Sequence, residues 1–306
     1  MPASPRAVAV ANGKGGVGKT SFCSHVGALA ANAGNRVLLV ELDSQGNLGE
    51  DLGYSGAGLG DDGEGLFDAV RKGTMPFFLK DVRPGLDVVP GGEAVAMIRP
   101  TMDTLRRSGK PEGEPGAVGR ALAPLATNYD LVLIDTPPID KDLQEEALLA
   151  AAWVLIMTKT DGSSRKGLRK IAQLFVSARR LHPALGLLGV VQFGVTPNAT
   201  RIRAKSREYI ELELGGTAPV LQQTIRHVEA AAFDVRDRGQ LAHELEKVFD
   251  AGPSWTDRLR ASQNGAPLDA PQLAASSATL ASDYQNLTTE FLTLLLQAET
   301  RQGVAV

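Results

Sequence analysis

Ala7-Val8-Ala9-Val10-Ala11-Asn12-Gly13-Lys14-Gly15-Gly16-Val17-Gly18-Lys19-Thr20 decides the fold. Its first five residues are small and apolar with no polar alternation, the pattern of a strand buried on both faces. The glycine-rich turn that follows satisfies G-x-x-x-x-G-K-[ST]. From Lys19 to Ala33 the apolar residues Phe22, Val26, Leu29 and Ala30 recur at helical spacing, and Gly34 ends the run. Strand, glycine turn and helix in this order make a phosphate cradle. Glycines let successive backbone N–H groups point at phosphate oxygens without side-chain clashes, and the helix N-terminus adds partial positive charge. The residues expected to bind a nucleotide here are Gly13, Lys14, Gly15, Gly16, Val17, Gly18, Lys19, Thr20 and Ser21. Lys19 puts a point charge at the β/γ-phosphates, the Thr20 hydroxyl is suited to Mg²⁺, and Ser21 is placed for the α-phosphate.

Working outward, Arg36–Leu42, Leu86–Val89, Leu131–Asp135, Trp153–Thr158 and Leu187–Val195 are further apolar runs without alternation. Interleaved with helical patterns, they imply an α/β fold: a doubly wound, mostly parallel sheet flanked by helices. Two of the runs deliver carboxylates. Leu131-Val132-Leu133-Ile134-Asp135-Thr136-Pro137-Pro138 carries Asp135 to the sheet edge, where a nucleotide's magnesium would sit. Glu41-Leu42-Asp43-Ser44-Gln45-Gly46-Asn47 ends the second run in a glycine-containing turn. Asp43 there reads either as a helix cap or as a carboxylate that orients water or holds one of the magnesium's waters.

Ser55–Gly65 and Ser108–Gly119 read as exposed connections. The pattern divides the chain into an α/β domain over residues 1–250 and an extension over 251–306. Gly252–Ser277 reads as a linker. Ser282–Gln297 reads as a C-terminal helix with Tyr284, Leu287, Phe291, Leu294 and Leu295 on one side, to be packed on the domain or on a partner helix.

The 306 residues are 43% hydrophobic and 22% charged, an ordinary globular composition. No basic-plus-apolar leader precedes the first strand, and the longest apolar run, Ala147–Met157, is too short to cross a bilayer. The expected location is the cytoplasm, with no membrane partner. The single cysteine, Cys23, leaves no partner for an internal disulfide or a cysteine-ligated cluster, and its helical position beside Phe22 reads as packing. The net charge is −3, yet residues 161–210 hold ten basic residues: Arg165, Lys166, Arg169, Lys170, Arg179, Arg180, Arg201, Arg203, Lys205 and Arg207. Only Asp161 and Glu208 oppose them. Helices over Ser164–Leu181 and Ala199–Leu214 would carry this charge, as solvated surface or as a patch for nucleic-acid phosphates.

A second lysine on the loop, Lys14, is not needed for an ordinary phosphate cradle. Lys14-Gly15-Gly16-Val17-Gly18-Lys19-Thr20 resembles the deviant Walker A motif of the ParA/MinD group of P-loop ATPases, and ParA in particular. The segment from Glu41 to Asn47 resembles that group's D-x-D-P-Q-G-N, with Glu41 for the first aspartate and Ser44 for the proline. Glu41 keeps a charge but lengthens its reach, and Ser44 loosens a turn that proline would stiffen. Asp135-Thr136-Pro137-Pro138 matches the second switch. The resemblance spans about Ala7 to Leu245. It implies slow ATP hydrolysis with ATP and Mg²⁺ as ligands, and Lys14, Lys19 and Asp43 as catalytic residues. Thr20, Asp43 and Asp135 would serve the metal. It also implies an ATP-bound homodimer in which Lys14 reaches the other copy's nucleotide, and a ParB-like adaptor that stimulates hydrolysis. Non-specific nucleoid DNA would be contacted by Arg165, Lys166, Arg169, Lys170, Arg201, Arg203, Lys205, Arg207 and, by position, Arg226. Base recognition would fall to Asn198 and to Thr224-Ile225-Arg226-His227-Val228, where Ile225 replaces a usual proline. The related alternatives are an ATPase that positions another cargo (a conjugation, carboxysome or chemoreceptor factor) and a MinD-like membrane switch. The latter lacks the basic amphipathic tail it needs. A reductase of the nitrogenase iron-protein type would need paired cysteines.

Overall fold

Unalternated apolar strands can be buried only if both faces of their sheet are covered, and the computed structural model shows that arrangement. It describes residues 2–160, 164–196, 199–252 and 276–303. In chain order the first half contains β1 (Ala7–Ala11), α1 (Lys19–Asn32), β2 (Val37–Glu41), α2 (Asn47–Asp51), α3 (Glu64–Lys72), β3 (Leu79–Arg83), β4 (Leu86–Val89), α4 (Ile98–Arg107), α5 (Ala117–Ala126) and β5 (Leu131–Asp135). The second half contains α6 (Lys141–Ala150), β6 (Trp153–Thr158), α7 (Ser164–Leu181), β7 (Gly186–Val195), α8 (Thr200–Glu213), β8 (Val220–Arg226), α9 (Glu229–Arg238), α10 (Ala242–Ala251) and α11 (Ser277–Gln302).

The strands form one sheet in the order β3-β4-β2-β5-β1-β6-β7-β8. Every pairing is parallel except that of β3 with β4. All residues of β1, β2, β5 and β6 are buried. Alternate side chains go to opposite faces. Ala7, Ala9, Leu38, Val132 and Ile134 meet α3–α8 on one side. Val8, Val10, Leu39, Leu133 and Leu155 meet α1, α2 and α9–α11 on the other.

Sequence patterning did not reveal β3 and β8, and both are edge strands. β3 reads Leu-Lys-Asp-Val-Arg, and β8 exposes Gln222 and Gln223, so neither carries a continuous apolar run. The open edge of β8 is closed by side chains. Arg207 donates to the Val220 and Leu221 carbonyls at 2.8 and 2.6 Å. Glu290 accepts the Gln222 and Gln223 N–H groups at 2.7 and 2.8 Å. These contacts occupy groups that would otherwise template another strand.

Two of the expected loops end in helix. Gly65 lies in the first turn of α3, and Ala117, Val118 and Gly119 are the buried start of α5. The orphan N–H groups of Gly116 and Val118 there are taken by the buried Glu146 carboxylate at 2.8 and 3.1 Å. That is a long-range cap with no local signature. The C-terminal helix is longer than its apolar pattern. It packs on the domain, with Tyr284, Leu287, Phe291 and Leu295 buried against α1, α10 and β8, while Leu294 is half-buried.

Candidate functional site

The C-terminal edge of the sheet brings the loop and both carboxylates together. β1 sits between β5 and β6, so Asp135 leaves the sheet beside the glycine turn, and Glu41 is in register with Asp135 on the next strand. Thr20 Oγ1 donates to Asp135 Oδ2 at 2.6 Å. Asp135 is 1% exposed, and its other oxygen, Oδ1, is buried without a hydrogen-bond partner. Burial pushes the Asp135 carboxyl up to about 7, against the opposing pull of Lys19 and the Thr20 hydroxyl. Lys19 is itself buried, and that burial lowers its ammonium, opposed by Asp135 and Asp43. A buried carboxylate with an orphan oxygen beside a hydroxyl and a lysine is a donor set that fits a magnesium–phosphate group.

The loop conformation needs its glycines. Gly18 has φ +83, and a Cβ there would stand 2.3 Å from the Phe193 ring of β7. Gly15 and Gly16 are exposed. Gly18→Ala is therefore expected to reduce nucleotide affinity by at least about tenfold, since it must expel the ring or distort the loop. Isothermal titration with ADP measures this, and unchanged affinity would contradict the packing argument.

Asp43 does not cap a helix. α2 starts at Asn47 with Gly46 as its cap, and the Asp43 carboxylate accepts Gln45 N–H at 3.1 Å, closing its own turn. Glu41 takes the capping work. It is fully buried and accepts Leu48 N–H, in the first turn of α2, at 2.9 Å and Gly91 N–H at 3.2 Å. The extra methylene of glutamate is what lets a strand residue reach over the switch turn. Burial first, then Asp135 nearby, pushes its carboxyl well above the ordinary carboxylate range, opposed by the two N–H groups it accepts. Gly91 must be glycine, because a Cβ there would lie 2.6 Å from both the Asp43 carbonyl and Glu41 Cγ. The glycine pair after β4 was the available signal for this contact.

Other positioning residues carry no motif. Gln144 of α6 donates to the Asn12 carbonyl at 3.3 Å and the Pro137 carbonyl at 2.6 Å, and Thr136 Oγ1 donates to Val10 O at 2.9 Å. They tie the second switch to the phosphate-loop strand. Ser24 of α1 donates to buried Asp51 of α2 at 2.9 Å, and Arg236 of α9 stands 3.4 Å from the same carboxylate. His25 accepts Ala242 N–H on Nε2, so its proton is on Nδ1, which donates to Ser21 O at 2.9 Å. Burial lowers that imidazole to about 3, and it stacks on Tyr284 of α11 with centroids 4.0 Å apart. Cys23 is buried, which pushes its thiol up and leaves it a packing residue.

A cavity of about 790 Å³ opens from the loop. Gly15–Ser21, Asp43 and Pro138 line it, together with Phe193, Ile225–Val228, Phe233 and Tyr284. Lys159 lines it as well. Lys14 does not. It leaves the loop beside α7, where Gly167 packs so closely on Asn12 that a Cβ would stand 2.6 Å from Asn12 Oδ1.

The expected base-recognition residue Asn198 lies outside the described residues, as does the side chain of Arg165. Thr224–Arg226 is the end of β8 rather than a loop. Arg226 is held by Asp283 of α11 at 2.7 Å and is not a free surface cation. Arg207 is spent on β8 carbonyls, and Arg169 pairs with Glu213 at 2.7 Å. Lys166, Lys170, Arg201, Arg203 and Lys205 are exposed. Among the described residues no helix is long and apolar enough to cross a membrane.

The family model described as an AAA domain matches residues 5–185. The chain is 31% identical over 237 residues to the chromosome-partitioning ATPase Soj of Thermus thermophilus, covering 76% of this chain and 87% of that protein. It is 35% identical over 197 residues to the chromosome partitioning protein ParA of Caulobacter vibrioides, covering 62% of this chain and 70% of that one. A Cyanothece McdA–ATP complex superimposes with a TM-score of 0.67 at 17% identity, over 94% of this chain and 96% of that one. This last likeness speaks for the fold.

Proposed function

From the premise that this chain belongs to the AAA-domain family of partition ATPases that includes Soj and ParA, we propose that it is an ATP-driven switch that partitions DNA. ATP and Mg²⁺ occupy the cavity at the loop, and ATP joins two copies face to face. The dimer holds nucleoid DNA without sequence preference, and hydrolysis, stimulated by a ParB-like adaptor, resets it in the cytoplasm.

One observation carries the reading: of the two loop lysines, Lys19 faces its own cavity and Lys14 does not. A cation outside that cavity, next in sequence to the exposed Gly15 and Gly16, suits a phosphate brought by a second copy. Within one copy, the Gly13–Thr20 backbone and Ser21 cradle the phosphates, and Lys19 neutralises their charge. Thr20 and Asp135 would hold magnesium, which when bound supplies positive charge at the terminal phosphates. Asp43 orients the attacking water. Charge supplied by Lys14 from the other copy takes the place of an arginine finger.

The DNA surface is the exposed set Lys166, Lys170, Arg201, Arg203 and Lys205. Lys170 packs against the loop itself, since a Cβ on Gly13 would stand 3.2 Å from Lys170 Cβ. The patch and the dimer face are thus neighbours, and dimerisation doubles the phosphate contacts. The test is retention of random-sequence duplex DNA with ATP and with ADP. The expected result is salt-sensitive retention with ATP only, reduced at least about tenfold in Lys14→Ala. Equal retention with ADP sinks the reading.

A further inference from the structure

We propose that Lys159 is a second lysine that each copy supplies to its own nucleotide, placed for the α-phosphate. The proposal rests on the reading of the cavity as a nucleotide site.

Strand order ranks the groups around the loop. Across the C-terminal edge of the sheet come Asp43 after β2, Asp135 on β5, the loop after β1, Lys159 after β6 and Phe193 on β7. The Thr20–Asp135 hydrogen bond puts the metal-suited groups, and with them the terminal phosphates, on the β5 side of the loop. By strand order Lys159, after β6, stands on the opposite side of the loop, toward β7 and β8. β6 pairs with β1 so that Ile156 is level with Ala11. Lys159 therefore lies as many residues beyond Ile156 as Lys14 lies beyond Ala11, although β6 itself runs on to Thr158. A nucleotide whose terminal phosphates lie by Asp135, and whose base lies toward β7 and β8, must pass Lys159 with its first phosphate.

The side chain is held, and among the described residues its charge is unanswered. Its stem runs over Gly194, where φ is +67 and a Cβ would stand 3.4 Å from Lys159 Cε. The lysine is half-buried and lines the cavity. The two arginines of the same cavity are already engaged, Arg226 by Asp283 and Arg236 by Asp51. Among the described residues Lys159 has no ion pair. A half-buried ammonium with no counter-ion among the described residues, beside a cradle of N–H groups, is suited to an incoming anion.

Both ADP and ATP carry the α-phosphate, so Lys159 should serve them alike. The experiment is fluorescent-nucleotide displacement by ADP and by ATP on Lys159→Gln and Lys159→Arg, with the melting temperature of each variant measured without nucleotide. The expected result for Lys159→Gln is a loss on the order of tenfold for both nucleotides, shrinking as salt is raised. Lys159→Arg should recover most of it, and the melting temperatures should not change. Affinities within about twofold of the unsubstituted protein, a loss confined to ATP, or a matching fall in melting temperature each overturn the proposal. If the unsubstituted protein binds neither nucleotide, the failure belongs to the reading of the cavity instead.

Discussion

Replacing Asp43 with alanine is expected to lower ATP turnover by on the order of a hundredfold or more, the range for loss of a group that handles the attacking water. Nucleotide affinity should stay close to that of the unsubstituted protein. The split follows from position. Asp43 is 7% exposed, lines the cavity across from Lys19, and makes no hydrogen bond to the phosphate loop. Among the described residues its carboxylate holds only Gln45 N–H, and its carbonyl, which alanine keeps, accepts Gly92 N–H at 3.2 Å. Asp43→Asn separates charge from turn geometry, because the amide oxygen can still accept Gln45 N–H. The same loss of turnover in both variants would assign the effect to the carboxylate. Phosphate release, measured with and without DNA beside ATP affinity, reads the split. Undiminished turnover in Asp43→Ala would remove Asp43 from the reaction.

Phe291→Ala is the substitution expected to cost most stability. Phe291 is fully buried on α11, and its ring meets Phe22 of α1 edge-on at 5.4 Å. Deleting a buried phenyl ring costs about 3–5 kcal/mol through lost transfer energy and the cavity left behind. For a domain of this size that is a fall in melting temperature of about 10 °C. Leu296, on the same helix and 48% exposed, is the control. Its replacement by alanine should cost no more than about 0.5 kcal/mol. Thermal unfolding followed by circular dichroism compares the two. Equal shifts would mean that α11 is not seated by its apolar face. Phe22 follows Ser21 directly, so loosening α11 should also weaken nucleotide binding. The magnitude of that coupling is a direct measure of how far the C-terminal helix supports the loop.

What could be read from the chain itself was whatever is encoded locally. The glycine spacing of Gly13–Gly18, the lysine and threonine behind it, and the apolar runs ending in Asp43 and Asp135 are short-range patterns with one physical use. They sufficed for the doubly wound sheet and the family. Edge strands escaped because β3 and β8 are only half-covered and need no continuous apolar run. Exposed cations could be counted but not sorted. Arg207, Arg226 and Arg169 look like Lys166 or Arg203 in the sequence, and only the fold sets the first three against carbonyls and carboxylates.

The residues that shape the site are joined across long stretches of chain. Gln144 joins α6 to the second switch and to the start of the phosphate loop. Glu41 reaches Leu48 and Gly91, Ser24 and Arg236 share Asp51, and Lys159 runs over Gly194. Hydrogen bonds and close packing act over a few ångströms of space regardless of separation along the chain, so such partners leave no periodicity to read. The sequence by itself determined that this protein has a phosphate loop with two lysines. Tertiary structure decided that Lys19 faces its own cavity while Lys14 stands outside it. The reason is steric: α7 packs directly on the loop, with Gly167 against Asn12 and within ordinary contact distance of the Lys14 stem.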